Sequence, residues 1–107
     1  MALHLNEWQE KEFNDFLKAK KVGVVEFGAT WCSACQATEP IVAELSIQYD
    51  KIDFAKIDVA KNPGLASRMG VMSLPNILFI NGGRIKDQII ATTNRKEIEE
   101  KIKKISK

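Results

Sequence analysis

Apolar residues recur at two different spacings along the chain, and these spacings predict alternating strands and helices. A first helix ending at Lys18 is predicted from apolar positions at roughly helical intervals, which are Trp8, Phe13, Phe16 and Leu17. Asn6 and Gln9 have the spacing of a capping box at the start of this helix. A short strand is expected before them, at residues 3–5.

The next part of the chain predicts a buried strand followed by a long helix. Residues 22–27 form a β-branched and aromatic run that ends at Gly28, which is typical of a central strand. After the loop 28–31, the apolar face of the helix consists of Ala34, Ala37, Ile41, Val42, Leu45 and Tyr49. Pro40 should kink this helix, because its ring displaces the carbonyl of Gln36 and it supplies no amide donor.

A second strand and a second crossover helix follow. Residues 52–59 predict the strand, and Asn62-Pro63 supplies a cap and a first-turn proline for a short helix that ends at Gly70. Strands that alternate with helices in this order favour parallel pairing, because each crossover returns the chain to the same end of the sheet.

The last part of the chain predicts a hairpin and a final helix. Strand-like segments at 77–80 and 84–91 flank Asn81-Gly82, a strong hairpin signal. Asn94 and Glu97 are spaced as another capping box, and the apolar stripe of the helix after them consists of Ile98, Ile102 and Ile105. The pattern predicts one α/β domain over residues 1–107, with a central mixed sheet and helices on both of its faces.

Composition and charge narrow the range of functions. The chain has 107 residues, of which 45% are hydrophobic and 28% charged, and its formal net charge is +2. This is the composition of a globular protein, and we expect no nucleic-acid partner because dense basic runs are lacking apart from lysines on the final helix. The longest apolar runs are too short for a bilayer, and the first residues do not resemble a signal peptide. We therefore expect a cytoplasmic protein that does not associate with membranes. We also expect it to be a monomer.

Cys32 and Cys35 are the candidate chemical groups. They lie between the predicted central strand and the long helix, so they occupy a helix N-terminus, where free amides and the helix dipole stabilise a thiolate. Cys32 is the natural nucleophile. Cys35 lies nearly one turn further in, where it can form a disulfide with Cys32 and act as the resolving thiol.

Other interpretations of the cysteine pair are less favoured. A structural disulfide would close so short a loop that it removes little chain entropy. A closed zinc site needs about four ligands, and His4 is the one further Cys or His in the sequence, so we expect no metal. A c-type haem site is excluded because Gln36 occupies the place of the required histidine. A cluster shared by two chains and a pair of inert core thiols remain as alternatives.

Several separate segments resemble the thioredoxin family over nearly the whole chain. They are Val24-Val25-Glu26-Phe27, Ala29-Thr30-Trp31-Cys32, Pro40, Lys56-Ile57-Asp58, Asn62-Pro63 and Gly70-Val71-Met72-Ser73-Leu74-Pro75. The resemblance implies a thioredoxin fold and a protein disulfide reductase that needs no cofactor beyond its cysteine pair. The implied partners are proteins that contain disulfides and a thioredoxin reductase, either flavin- or ferredoxin-dependent.

The resemblance also implies a substrate-binding surface. The Leu74–Pro75 bond should be cis and face the disulfide, and the backbone at Leu74 should pair with an extended substrate segment. Trp31, Ser73, Leu74 and Ala91 should form an apolar rim around the site. Taken from the residues alone, Pro75 would instead be a trans proline that opens an edge strand.

Glu26 is the most informative charged residue because it interrupts an apolar strand, and a buried carboxylate is costly unless it is paired. The family carries an aspartate at this position, beneath the disulfide, and Lys56 matches its basic neighbour. Glu26 is therefore predicted to relay a proton to Cys35 through water, with Lys56 tuning its charge. An exposed Glu26 at a strand edge is the alternative.

Three departures from the family pattern surround the site. Ser33-Ala34 replaces the usual Gly-Pro between the cysteines, Gly28 replaces a tryptophan, and Ala91 replaces a glycine. Loss of the proline frees an amide and loosens the helix start, which should change the reduction potential. A disulfide oxidase or isomerase, or a redox-switched protein-binding module of the same fold, are the alternative functions.

Overall fold

Five strands and four helices are seen in a computed structural model that describes residues 4–90 and 94–106. In chain order the elements are β1 (Asn6–Glu7), α1 (Glu10–Lys18), β2 (Gly23–Gly28), α2 (Ser33–Gln48), β3 (Asp53–Asp58), α3 (Pro63–Arg68), β4 (Asn76–Asn81), β5 (Arg84–Ile90) and α4 (Arg95–Ile105). The predicted order of elements is confirmed.

The strands form one mixed sheet in the order β1-β3-β2-β4-β5. β1 and β2 both pair with β3 in parallel, whereas β4 is antiparallel to β2 and to β5. The predicted mixed sheet, parallel in its first part and antiparallel in its last, is therefore confirmed. β2 lies at the centre, and its residue Glu26 has Lys56 of β3 on one side and Ile77 of β4 on the other.

Alternate residues of β2 face two separate apolar cores. Val24 packs with residues of α2 and α4, among them Val42 and Ile102, whereas Val25 and Phe27 pack with residues of α1 and α3. Because side chains alternate along a strand, Glu26 shares the face of Val24. The fold thus directs the one carboxylate of β2 toward the helix that begins beside the cysteines.

The start of α1 differs from the sequence prediction. Asn6 belongs to β1 and pairs with Ala55, and the chain stays extended until the Trp8 N–H donates to the Lys56 carbonyl. The N-cap is Gln9, which forms a capping box with Glu12. The capping box predicted at Asn6 and Gln9 is wrong, because sheet pairing keeps this segment extended. The predicted strand at 3–5 is likewise displaced, and its first residue lies outside the described residues.

Two further elements differ in detail. Asn62 precedes α3, but its side chain does not cap that helix. Its Oδ1 instead accepts the Glu10 N–H at 3.0 Å, which satisfies a free amide of α1. The assigned helix α2 continues through Pro40. Among residues 4–90 and 94–106, no helix is both long and apolar enough to span a bilayer.

Candidate active site

Cys32 and Cys35 are joined by a disulfide at the start of α2, with their Cα atoms 5.3 Å apart. Cys32 is the N-cap residue in extended conformation, and its Sγ accepts the Cys35 N–H at 3.2 Å. Because the first amides of a helix lack intrahelical acceptors, they stabilise negative charge at this point. The same amide would stabilise a Cys32 thiolate once the disulfide is reduced.

The two sulfur-bearing residues differ in their access to solvent. Cys32 is half-buried, whereas only 5% of Cys35 is exposed. Cys32 opens onto a groove of about 320 Å³ that is lined by Trp31, Val59, Val71, Met72 and Leu74. A partner molecule can reach Cys32 from this groove while Cys35 stays covered.

The groove carries part of the predicted rim. Trp31 is 72% exposed and lines the groove together with Leu74, and the Leu74–Pro75 bond is cis, as the resemblance implied. Pro75 itself is buried, and Ser73 is exposed. Ala91 lies outside the described residues.

Two further groove residues, Val59 and Met72, were not predicted from the sequence. Met72 is 93% exposed, and Val59 directly follows β3 at the end of the sheet where β2 leads into the cysteine loop. The carboxyl ends of parallel strands meet at one edge of a sheet. An apolar residue just after β3 could therefore have been predicted to lie near the cysteines, which follow β2. Met72 had no such signal, because it lies in a loop.

A second opening lies on the other side of the disulfide. It is a cleft of about 210 Å³ that reaches Cys35, and its lining includes Glu26, Gly28, Glu39 and Lys56. A Cβ atom on Gly28 would lie 3.1 Å from Cys35 Sγ and 3.9 Å from Glu26 Oε2. The missing side chain of Gly28 therefore leaves space between the buried sulfur and the buried carboxyl group.

Glu26 is buried at the centre of the sheet, and only 3% of it is exposed. The alternative of an exposed Glu26 at a strand edge is wrong. Its pKa is raised from 4.5 to about 8, chiefly by burial and in part by the negative charge of Glu39, while the positive charge of Lys56 opposes both. Among the described residues, Glu26 Oε1 has no hydrogen-bond partner.

Lys56 binds a different carboxylate from the one that its strand position indicates. Its Nζ lies 3.2 Å from Oε1 and 3.0 Å from Oε2 of Glu39. Glu39 Oε2 also accepts the Leu5 N–H at 3.0 Å. Burial alone would raise the pKa of Glu39, but these bonds and the Lys56 charge hold it below its ordinary value.

Glu39 was not predicted from the sequence, although its spacing from Cys35 gave a signal for it. Glu39 follows Cys35 by four residues on one helix, and residues at this spacing share a helix face. The position could thus have been placed beside the cysteine. Within the part of the chain that the structure describes, no group of three or more His, Cys, Asp or Glu side chains is arranged to hold a metal ion.

A disulfide at a helix start, a cis Leu74–Pro75 bond whose Leu74 lines the same groove as Cys32, and a sheet of this topology define a thioredoxin-fold thiol–disulfide oxidoreductase. Comparison with known proteins agrees with this class. The model of the family described as Thioredoxin matches residues 4–104, and the chain belongs to the thioredoxin family.

Three similar proteins illustrate the relationship. Thioredoxin 2 of Chlorobaculum tepidum is 35% identical over 89 residues, which are 82% of each chain. A thioredoxin of Chlorobaculum thiosulfatiphilum is 34% identical over 98 residues, covering 90% of this chain and 91% of its own. The crystal structure of thioredoxin NaTrxh from Nicotiana alata matches with a TM-score of 0.88 and 27% identity, covering 98% and 95% of the two chains.

Membership in this family fixes the general activity. Thioredoxins exchange their dithiol with disulfide substrates, need no bound cofactor and are reduced in turn by thioredoxin reductase. The chain is a thiol–disulfide oxidoreductase whose redox centre is the Cys32–Cys35 disulfide.

Proposed function

We propose that this protein reduces disulfides in other proteins, with Cys32 as the attacking thiol and Cys35 as the resolving thiol. The main support for these roles is that the two cysteines differ in their exposure to solvent. Cys32 lines the groove, whereas Cys35 is buried. A substrate disulfide is a bulky reactant that can meet only an accessible sulfur. The amide donor on Cys32 Sγ supports the same assignment, because it favours the thiolate there.

The proposed exchange moves two electrons in two steps. The Cys32 thiolate attacks one sulfur of the substrate disulfide, a mixed disulfide forms, and the other substrate sulfur leaves as a thiolate that takes up a proton. Cys35 then loses its proton and attacks Cys32 Sγ. The bond to the substrate breaks, the second substrate thiol is released, and the Cys32–Cys35 disulfide is formed.

Glu26 is the proposed acceptor of the Cys35 proton, through water in the cleft. It lines the same cleft as Cys35, and a pKa of about 8 is close to the ordinary value of a cysteine thiol, about 8.5. Proton transfer between groups of matched pKa is efficient. The accepting form is the Glu26 carboxylate, whose share of the population rises as the pH approaches 8. Lys56 contributes through its positive charge, which partly offsets the effect of burial on Glu26.

The groove is the proposed contact surface for protein substrates. Trp31 and Met72 are large, apolar and exposed, and both line the groove together with Cys32. Exposed apolar side chains that are grouped at a reactive thiol favour contact with an unfolded or extended segment. The backbone at Leu74 would pair with that segment, with Pro75 and Ser73 beside it. Ala91 is assigned to substrate contact by the family resemblance alone.

The type of reductase, the oligomeric state and the cellular location are part of the same proposal. The protein would be recharged by a thioredoxin reductase of the flavin- or ferredoxin-dependent type, and would work as a monomer in the cytoplasm. Supplying each reductase in turn with its electron donor, and following oxidation of the donor, would assign the type. Sedimentation in both redox states would test the monomer.

Insulin reduction followed by turbidity tests the central claim. The protein should accelerate precipitation of the reduced insulin chains, and Cys32→Ser should abolish the effect. Cys35→Ser should instead accumulate a mixed disulfide through Cys32, which can be identified by mass spectrometry. Activity that survives in Cys32→Ser would overturn the assigned roles, and a strongly oxidising couple in a redox titration would favour an oxidase over a reductase.

A further inference from the structure

Glu26 and Lys56 are neighbours in the sheet, but they are not an ion pair. They are register partners in the parallel pairing of β2 and β3, so their side chains lie on the same face. Lys56 Nζ instead contacts both carboxylate oxygens of Glu39, at 3.0 Å from Oε2 and 3.2 Å from Oε1. Among residues 4–90 and 94–106, Oε1 of Glu26 finds no hydrogen-bond donor.

Glu39 is held in place from two directions. Its backbone belongs to α2, one turn after Cys35, and its Oε2 accepts the Leu5 N–H from the segment before β1. His4 Nδ1 lies 3.4 Å from the same oxygen. The side chain of Glu39 is largely buried, so the ammonium of Lys56 is drawn to a fixed carboxylate and away from Glu26.

The surroundings of Glu26 leave little else that could stabilise its charge. Ile77 of β4 lies opposite it on the other side of β2. The further ionisable side chains that line the cleft are Glu7, Asp58 and Lys61. Lys61 Nζ is 2.9 Å from Glu7 Oε2, and Asp58 Oδ1 accepts the Ala60 N–H, so these groups are already engaged with each other or with backbone.

We infer that Glu39 is a positioning residue for the redox reaction, which holds Lys56 away from Glu26 and thereby keeps Glu26 protonated at neutral pH. This inference rests on the proposed role of Glu26 as proton acceptor for Cys35. Two carboxyl groups thus share one ammonium unequally, and Glu26, the one at the centre of the sheet, is left neutral. Glu39 sets the pH at which Glu26 becomes able to accept a proton.

Glu39→Gln tests the inference, because glutamine keeps the shape and still accepts the Leu5 N–H, but no longer pairs with Lys56. With the oxidised protein and without substrate, the Glu26 carboxyl carbon is titrated by ¹³C NMR. Its midpoint should fall by about one pH unit or more, a change of about tenfold in its acid constant. An unchanged midpoint overturns the inference, and because no substrate is present, the result is independent of reductase activity.

The same titration in the Lys56→Met background separates positioning from simple charge repulsion. If Glu39 acts by holding Lys56, most of the shift caused by Glu39→Gln should vanish when Lys56 is absent. A shift of the same size in both backgrounds would show repulsion alone and overturn the positioning role. Glu44→Gln is the matched control, since Glu44 lies on α2 and pairs with Arg95 at 2.6 Å. It should leave the Glu26 midpoint unchanged.

Discussion

The sulfur of Cys35 lies 3.1 Å from the point where a side chain on Gly28 would begin. The two residues come from different elements, since Gly28 ends β2 and Cys35 belongs to the first turn of α2. Because Gly28 has no side chain, the buried sulfur borders an open cleft and not a packed wall. This relationship makes Cys35 reachable by small molecules from a side that is separate from the substrate groove.

Gly28→Ala should close part of this access. A Cβ at 3.1 Å from both Cβ and Sγ of Cys35 forces that side chain to shift, so we expect a loss of about 1 kcal/mol in the free energy of unfolding. In a Cys32→Ser background, alkylation of Cys35 by iodoacetamide should slow several-fold. Gly64→Ala is the control, because its nearest contact is the end of Arg68 at 3.9 Å. Equal behaviour of the two variants would contradict the prediction.

Glu26 should make the stability of the oxidised protein fall as the pH rises. Its pKa is raised from 4.5 to about 8, so between these values the folded state holds a proton that the unfolded state releases. The contribution is fully present below 4.5 and is lost as the pH rises through about 8, with a slope of up to about 1.4 kcal/mol per pH unit.

Glu26→Gln should remove this slope. Urea unfolding of the wild-type protein and of Glu26→Gln should be measured between pH 4.5 and about 8. The difference between their unfolding free energies reports Glu26 alone, because all other titrating groups are common to both proteins. The rate of substrate reduction should also lose its dependence on a group near pH 8. A difference that stays constant with pH would contradict the prediction for stability, and an unchanged rate profile would contradict the relay.

Trp31→Ala and Met72→Ser should weaken substrate reduction without weakening the fold. Both side chains are largely exposed, so little apolar burial within the chain is lost. If they contact substrates, kcat/KM for insulin should fall about 5- to 30-fold, the range expected for exposed aromatic and apolar anchors. Ile47→Ser is the control, because Ile47 is exposed on α2 far along the chain from the cysteines. A similar loss in that variant would argue against a specific groove.

Asn62→Ala should cost about 2 kcal/mol in the free energy of unfolding. Asn62 is buried, accepts the Glu10 N–H, and donates to Gln9 Oε1 at 2.9 Å and to the Asp58 carbonyl at 3.0 Å. The truncation leaves these groups without their partner. Ser67→Ala, an exposed change on α3, should cost less than about 0.5 kcal/mol. Equal values from chemical denaturation would refute the assigned importance of Asn62.

The order of strands and helices could be predicted from local patterns. Helices and strands each bury one face, and the apolar residues of that face recur at a different spacing in each. The run around Val24 and Val25 predicts a central strand, and the sheet confirms it. That central position also explains why Glu26 is buried, since strands flank it on both sides. The cysteines were predictable for a similar reason, as their place between strand and helix fixes them at the start of α2.

Pairings between distant side chains were not predictable in the same way. Asn62 was expected to cap its own helix, but it reaches the start of α1, 52 residues away in the chain. Lys56 acts on its strand neighbour Glu26 through its charge, as expected, but its hydrogen-bonded partner is Glu39 on a packed helix. In both cases the partner is determined by which groups the folded backbone brings within hydrogen-bonding distance. Residue spacing in the sequence does not contain that information.

The order of the sheet has a last consequence, which concerns association with other chains. Its two outer strands are β1, which is two residues long, and β5, which exposes Arg84 and Lys86 and is paired to β4 across a register shift. Short length, charge and irregular pairing each disfavour the addition of a foreign strand. If the protein reduces disulfides in partly unfolded chains, as proposed, these borders would keep it from adding a strand of its substrate.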